Sequence, residues 1–445
     1  MKKTLCIILS LIFTVSLSLY FTATASNVLF GDANSDGKVD AKDLIVERQY
    51  LAGKIGADKI NLFNARVSSV RQESVLTLKI KDVQTLIKYL TKNADNLTPK
   101  WYTNVGDNAN KYSIDQLKSN ILLCGRAEYG ENSVLLSQTA SGFKFTADCD
   151  GSIIIDYSAD KDCRISIAVD EDYDNQKLVT LRSDKASVHA ALNMKKGLHT
   201  IEIRKATEHG NCQLITVKAI TLNGEKSSVP ATKKHRIEFY GDSITAGYGN
   251  IELQAGEEQE SANKGSWQYQ DGTRTYATFT AHKFDADYSI AAASGHGVLG
   301  GYSNYTQTFD KYFDYSIVKT KTPWSRKNYN ADLIVINFGS NDNSREGNNL
   351  NVDNFVNKAS EIVESMHKDN PNAKILWVTG MNYVSDTAKL CTALQKLDEK
   401  YDYLNYRKVP ARHSGGDSHP TVNEHKYHAD NLTQIINELY PDMFK

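Results

Sequence analysis

No long run of one charge sign occurs in this 445-residue chain, where 52 lysines and arginines face 53 aspartates and glutamates for a formal net charge of -1. Holding a phosphate backbone takes clustered basic charge, so this balance excludes an electrostatic nucleic-acid binder. Cysteine is scarce: apart from Cys6 there are five, Cys124, Cys149, Cys163, Cys212 and Cys391, an odd number that leaves at least one unpaired or paired between chains. Four of them fall between residues 124 and 212, where one or two disulfides and buried thiols are both open readings. Beyond residue 25 no stretch is long and apolar enough to span a bilayer. Two motifs are missing as well, the H-E-x-x-H of zinc hydrolases and the G-x-S-x-G nucleophile elbow.

What is present begins with Lys2 and Lys3, an apolar stretch and the small-residue triplet Ala23-Thr24-Ala25. That is the pattern of a secretory signal over residues 1–25, with the mature chain starting at Ser26 as a secreted, extracellular protein that keeps no membrane contact. An uncleaved membrane anchor is the rival reading. The length exceeds what one hydrophobic core usually serves, so a multidomain chain is expected.

The segment "GDANSDGKVDAKDLIVERQYLAG" spaces oxygen-bearing side chains as a twelve-residue EF-type calcium loop requires. Asp32, Asn34, Asp36, Asp40 and Asp43 take alternating inward positions, Gly37 permits the sharp turn, and Lys38 offers its backbone carbonyl. The helix after it repeats 39 residues later, Asp43 matching Asp82, Tyr50 matching Tyr89 and Leu51 matching Leu90. The second loop, "RQESVLTLKIKD", is degenerate, since Arg71, Glu73, Val75 and Leu76 stand where calcium ligands and glycine belong. This loop-helix pair over residues 28–95 resembles a dockerin. The resemblance implies structural calcium and a cohesin of a scaffoldin as partner, which makes the location cellulosomal or cell-surface. The pair Ala41-Lys42 with Arg48-Gln49 differs from its counterparts Ile80-Lys81 and Ile87-Lys88, so the two halves are not equivalent recognition faces; an interaction module with another partner is the alternative.

From 100 to 228 the chain turns to short alternating runs such as "GFKFTA", "GSIIIDYS" and "LHTIEIRKAT", separated by polar and glycine-containing turns. This predicts an antiparallel β-sandwich or jelly roll. Its strands carry few aromatics, so a scaffold role is expected over sugar binding. "PATKKH" reads as a linker.

Residues 233–445 alternate strand and helix. "RIEFYG", "ADYSIAA", "ADLIVINFG", "AKILWVTG" and "LNYRKVP" are continuous apolar runs suited to a parallel sheet buried on both faces. Between the third and fourth, Phe355, Val356, Ala359, Ile362, Val363 and Met366 recur at helical spacing. In such doubly wound folds ligands bind at the carboxyl ends of the strands. Four strand ends there supply what acyl transfer needs: Gly241-Asp242-Ser243, Ser294-Gly295-His296-Gly297, Gly339-Ser340-Asn341-Asp342, and a late stretch with Asp417 and His419.

These four blocks, in order at strand ends, resemble the SGNH (GDSL) hydrolase superfamily, and the β-sandwich in front makes the chain similar to carbohydrate esterase family 2. The resemblance implies a flavodoxin-like catalytic domain that removes O-acetyl groups from plant polysaccharides such as xylan and mannan. It implies Ser243 as nucleophile, His419 as base, and an oxyanion hole of the Ser243 and Gly295 amides with the Asn341 side chain; no cofactor is expected for the chemistry. Asp417 stands only two residues before His419, and an extended peptide sends such side chains to opposite faces, so either its carboxylate or a backbone carbonyl holds the imidazole. Trp324, before the third strand, is a candidate substrate contact.

Rival readings remain. A zinc hydrolase would use His413, His419, His425 and His428, although histidines three apart on a polar helix are usually solvated. Ser261 and Lys264 spell S-x-x-K without its companion motifs. A non-catalytic carbohydrate-binding protein and a lipase or thioesterase share the same scaffold.

Overall fold

The computed structural model describes residues 31–35, 38–56, 59–60, 65, 83–84, 86–87, 90, 109–251 and 267–445. The segment read as a secretory signal, Asp36, Gly37, the degenerate second loop and the S-x-x-K stretch lie outside the described residues. Two compact units partition the chain, Met1–Tyr102 and Thr103–Lys445.

In the first unit, helix α1 (Ala41–Leu51) starts where the calcium-type loop ends. Asp40 caps it, accepting from the Lys42 amide at 2.7 Å, and Asp43 accepts in return from the Asp40 amide at 2.8 Å. The other Asp43 oxygen reaches back to the Asn34 amide at 3.1 Å, so the last position of the loop folds onto its third. Asp32 and Asp43 are both buried.

The second unit holds two sheets. Nine antiparallel strands come first: β1 (Asn110–Ser113), β2 (Ile121–Cys124), β3 (Glu128–Gly130), β4 (Ser133–Leu136), β5 (Gly142–Ala159), β6 (Cys163–Val169), β7 (Lys177–Leu181), β8 (Ser187–Lys205) and β9 (Ile215–Lys226). Hydrogen bonds join them into one curled sheet in the order β3-β4-β9-β5-β8-β6-β7, with β1 on β9 and β2 on β5. The expected sandwich is therefore continuous, because β5, β8 and β9 are long enough to run through both layers. Register shifts between Cys149 and Ile153 let β5 bend. At the facing position only glycine fits: Gly224 has φ 149°, and a Cβ there would lie 2.1 Å from the Asp148 carbonyl oxygen. The curl closes on a core that includes Phe143, Phe145, Ile155, Ile165, Ile203 and Ile220. All five cysteines beyond Cys6 are buried free thiols, those of Cys163 and Cys212 hydrogen-bonded to each other, so the structure follows the thiol reading.

The second sheet is parallel, order β11-β10-β14-β15-β16, built from β10 (His235–Gly241), β11 (Ala286–Ala292), β14 (Leu333–Asn337), β15 (Lys374–Thr379) and β16 (Leu404–Lys408); the two-stranded pair β12 (Tyr315–Ile317) and β13 (Thr322–Pro323) stands apart. Alternate residues of one strand serve opposite faces, which is why its runs are continuously apolar. Ile334 and Ile336 pack with Phe355 and Val363 of one helix and Leu394 of another on one face. Leu333 and Val335 pack with Ala277, Leu432 and Ile436 on the other.

The curled sheet lies against the parallel one. Arg126, between β2 and β3, is buried with its guanidinium bonded to Ser289 Oγ at 3.2 Å and 3.5 Å from Glu238. Gln138 donates to the carbonyls of Tyr312 and Tyr315. The segment read as a linker is itself pinned, Lys233 pairing with Glu171 and Asp285, each at 2.7 Å.

Candidate active site

Ser243 opens the four-residue helix α2 (Ser243–Ala246), directly after β10. Asp242 caps this turn by accepting from the Ile244 amide at 3.1 Å, and Gly247 ends it in the left-handed region, φ 76°. As the first residue of a helix, Ser243 has an amide with no intrahelical partner.

His419 approaches from the loop before the last helix, α7 (Val422–Leu439); the helices between include α3 (Tyr276–Lys283), α4 (Ser340–Glu346), α5 (Val352–Asp369) and α6 (Lys389–Lys400). Its Nε2 lies 2.7 Å from Ser243 Oγ, and its Nδ1 lies 2.9 Å from the Asp417 carbonyl oxygen. A carbonyl only accepts, so Nδ1 carries the proton and Nε2 is left to accept from the serine hydroxyl. The chain reaches this arrangement through two successive left-handed residues, Asp417 (φ 52°) and Ser418 (φ 57°). Each costs about 1 to 2 kcal/mol in a residue with a Cβ, and bonds from Gly416 to Gly249 (2.9 Å) and from Val422 to Asn250 (3.1 Å) hold the loop in place. The expected ambiguity thus ends in the backbone: the carbonyl of Asp417 meets the imidazole. Burial pulls the His419 pKa below its ordinary value, while the Asp417 carbonyl and charge work the other way.

Two buried carboxylates tie the strand-end loops together. Asp242 accepts from Ser340 Oγ at 2.5 Å and from the Asn341 side-chain Nδ2 at 3.3 Å. Asp342 accepts from the Val298 and Leu299 amides at 2.8 and 2.7 Å. Burial, against these donors, pushes each up to about 6. Asn341 also donates to the His296 carbonyl at 2.8 Å, and Gly295 turns its loop at φ 75°. One bonded network therefore runs from Asp242, the chain neighbour of Ser243, through Asn341 to His296, the chain neighbour of Gly295.

Trp324 is not brought to this network. Its indole N–H donates to Glu238 at 2.7 Å, and its ring lies against Arg126 and Tyr329, five residues up β10 from Ser243. Neither do the remaining histidines form a cation site: His425 and His428, expected to be solvated, are fully buried because α7 packs on α3. His425 Nδ1 accepts from the Tyr276 amide at 3.2 Å and His428 Nε2 faces the Arg412 carbonyl at 2.9 Å. Among the described residues no cluster of three or more His, Cys, Asp or Glu is placed to hold a metal; for the calcium-type loop, Asp36 lies outside them. A residue the sequence did not single out is Glu208, after β8, whose carboxylate takes both the amide (2.6 Å) and the hydroxyl (2.7 Å) of Ser294.

Residues 239–409 match the model of the GDSL-like Lipase/Acylhydrolase family. The chain is 25% identical over 275 residues, 58% of its length, to the cellulase/esterase CelE of Acetivibrio thermocellus, of which it spans 32%. It is 26% identical over 195 residues, 41% of its length, to an acetylxylan esterase / glucomannan deacetylase of Cellvibrio japonicus, of which it spans 53%. Its fold is that of a family two carbohydrate esterase from Clostridium thermocellum solved with cellohexaose, at TM-score 0.64 and 20% identity over 72% of this chain and 99% of that one. The chain thus spans about a third and about half of the two curated relatives. A serine hydroxyl in contact with an imidazole oriented by a carbonyl, at the strand ends of a fold like that of a carbohydrate esterase and within the GDSL-like match, is an arrangement able to transfer an acyl group.

Proposed function

We propose that the chain is a secreted esterase removing O-acetyl groups from plant cell-wall polysaccharides. What carries the reading is the 2.7 Å contact of His419 Nε2 with Ser243 Oγ in the tautomer that accepts a proton; the names of the two curated relatives support the substrate class. In this mechanism Ser243 Oγ attacks the acetyl carbonyl as its proton passes to His419 Nε2. The tetrahedral oxyanion takes hydrogen bonds from the Ser243 and Gly295 amides and from Asn341, whose longer contact, to Asp242, is the weaker one to give up. Collapse breaks the ester bond and the sugar hydroxyl leaves with the imidazolium proton. Water then repeats the sequence on the acetyl-enzyme and releases acetate, restoring both residues.

The test is acetate release from acetylated xylan and acetylated glucomannan by residues 26–445, beside Ser243→Ala. Release by the parent alone supports the esterase; retention on polysaccharide without release by either protein points to the binding-protein alternative.

For residues 28–95 the proposal is a dockerin-like module that docks on a cohesin and places the enzyme in a cellulosome or at the cell surface. Calcium would be held by Asp32, Asn34, Asp36, the Lys38 carbonyl, Asp40 and Asp43, and the closure of Asp43 onto Asn34 fits such a loop. The ion would order the loop and take no part in ester cleavage. Chelation by EDTA should increase hydrogen exchange of residues 28–95 and leave acetate release within twofold; loss of both together would refute this division.

A further inference from the structure

Glu208 comes from the curled sheet, 86 residues before Ser294, yet it is built into the loop that carries Gly295. It is 4% exposed. Both donors of Ser294 point at one carboxylate, a group that only accepts and can take both at once. Behind it, the Glu208 amide donates to Gln270 Oε1 at 3.0 Å, and Gln270 Nε2 donates to the Ala246 carbonyl at the end of the Ser243 helix at 3.3 Å. The same loop is closed by the Cys212 amide on the Glu208 carbonyl, and the Gly272 amide donates to the Ala206 carbonyl at 2.6 Å. One segment of the β unit thus grips the nucleophile's helix and the Gly295 loop together.

The charge matters as well as the grip. Among the described residues no carboxylate bonds the His419 ring directly, and Glu208 has no cation within ion-pair distance, although the buried Lys205 ammonium acts on it at longer range. Among the described residues the groups around the imidazole are Ser243, the Tyr248 ring at 4.6 Å, Asp417, His425 and, at longer range, Glu208. Both carboxylates favour a protonated ring. Such a charge opposes an oxyanion, which its two Ser294 donors temper.

We propose that Glu208 is a positioning residue of this site: it fixes the Ser294-Gly295 loop to the Ser243 helix and supplies, across the boundary between sheets, negative charge that favours the His419 imidazolium formed as Ser243 attacks. The assignment rests on reading Ser243 and His419 as the ester-cleaving pair. Two variants of the full chain separate grip from charge, assayed on 4-nitrophenyl acetate. Glu208→Ala should lower kcat about a hundredfold, the scale of a small misplacement of catalytic groups, with KM within threefold. Glu208→Gln keeps an acceptor for the Ser294 amide and a donor for its hydroxyl, so kcat should fall less while the acidic limb of kcat/KM moves to lower pH. A proton NMR titration of the His419 ring in Ser243→Ala, with and without Glu208→Gln, reads the same charge without turnover and should show the lower midpoint in the double variant. An Ala variant within twofold of the parent in kcat overturns the grip, and an unmoved NMR midpoint overturns the charge. A parent that does not hydrolyse the ester overturns the reading of the pair, while the NMR midpoint still decides the role of Glu208.

Discussion

The two sheets of residues 103–445 differ in how they serve the site. The parallel sheet presents Ser243, Gly295 and Asn341 at the ends of three neighbouring strands, so chain direction alone gathers them. The curled sheet has no such end-on geometry. It contributes through single side chains crossing the boundary, Arg126 and Gln138 in the packing and Glu208 at the Ser294 loop. A fold that concentrates strand ends is forgiving about where a reactive residue sits along a loop. A sheet packed against its side can reach a loop there only by placing one long side chain correctly, as Glu208 does at Ser294.

The comparison sharpens if substitutions on the two sides are ranked. Asn341→Ala, on the parallel side, should cost on the order of a hundred- to a thousandfold in kcat, the usual loss for one oxyanion donor, and so exceed or equal Glu208→Ala. It also frees the His296 carbonyl and one bond to Asp242. Steady-state kinetics on one acetyl ester checks the order; a smaller loss in Asn341→Ala than in Glu208→Ala would invert the ranking and place the dominant support in the curled sheet.

Legibility in the sequence follows the same division. Period-two burial on both faces writes a parallel strand as an unbroken apolar run, so Leu333 to Ile336 announce their element directly. The amphipathic spacing from Phe355 to Met366 is equally local, and the structure has that helix. Continuity of the curled sheet was not legible, because whether β5 and β8 stop at a turn or bend through a bulge is decided by partners far along the chain. The burial of His425 depends on α7 meeting α3, and Trp324 is drawn to Glu238 by a hydrogen bond no spacing encodes. Glu208 stayed hidden for the same reason: glutamate in a polar stretch "KATEHGN" has no local signature of its target.

Asp417 marks the smallest effect, and its size discriminates most. Removing the orienting carboxylate of a side-chain triad costs about ten-thousandfold. Here the ring is held by the Asp417 carbonyl, which any residue supplies, and asparagine tolerates the left-handed backbone found at φ 52°. Asp417→Asn should therefore lower kcat less than about tenfold, a loss far below the triad value. The pH profile gives the second half of the expectation. His419 works as a base only when neutral, and burial lowers its pKa, so the acidic limb of kcat/KM in the parent should lie below the ordinary histidine value of 6.5. The Asp417 charge raises that pKa, hence its removal should move the limb to still lower pH, in the same direction as Glu208→Gln. A ten-thousandfold loss, or a limb moving upward, would mean that the Asp417 carboxylate turns to the ring during turnover and that the parallel-sheet side carries its own acid after all.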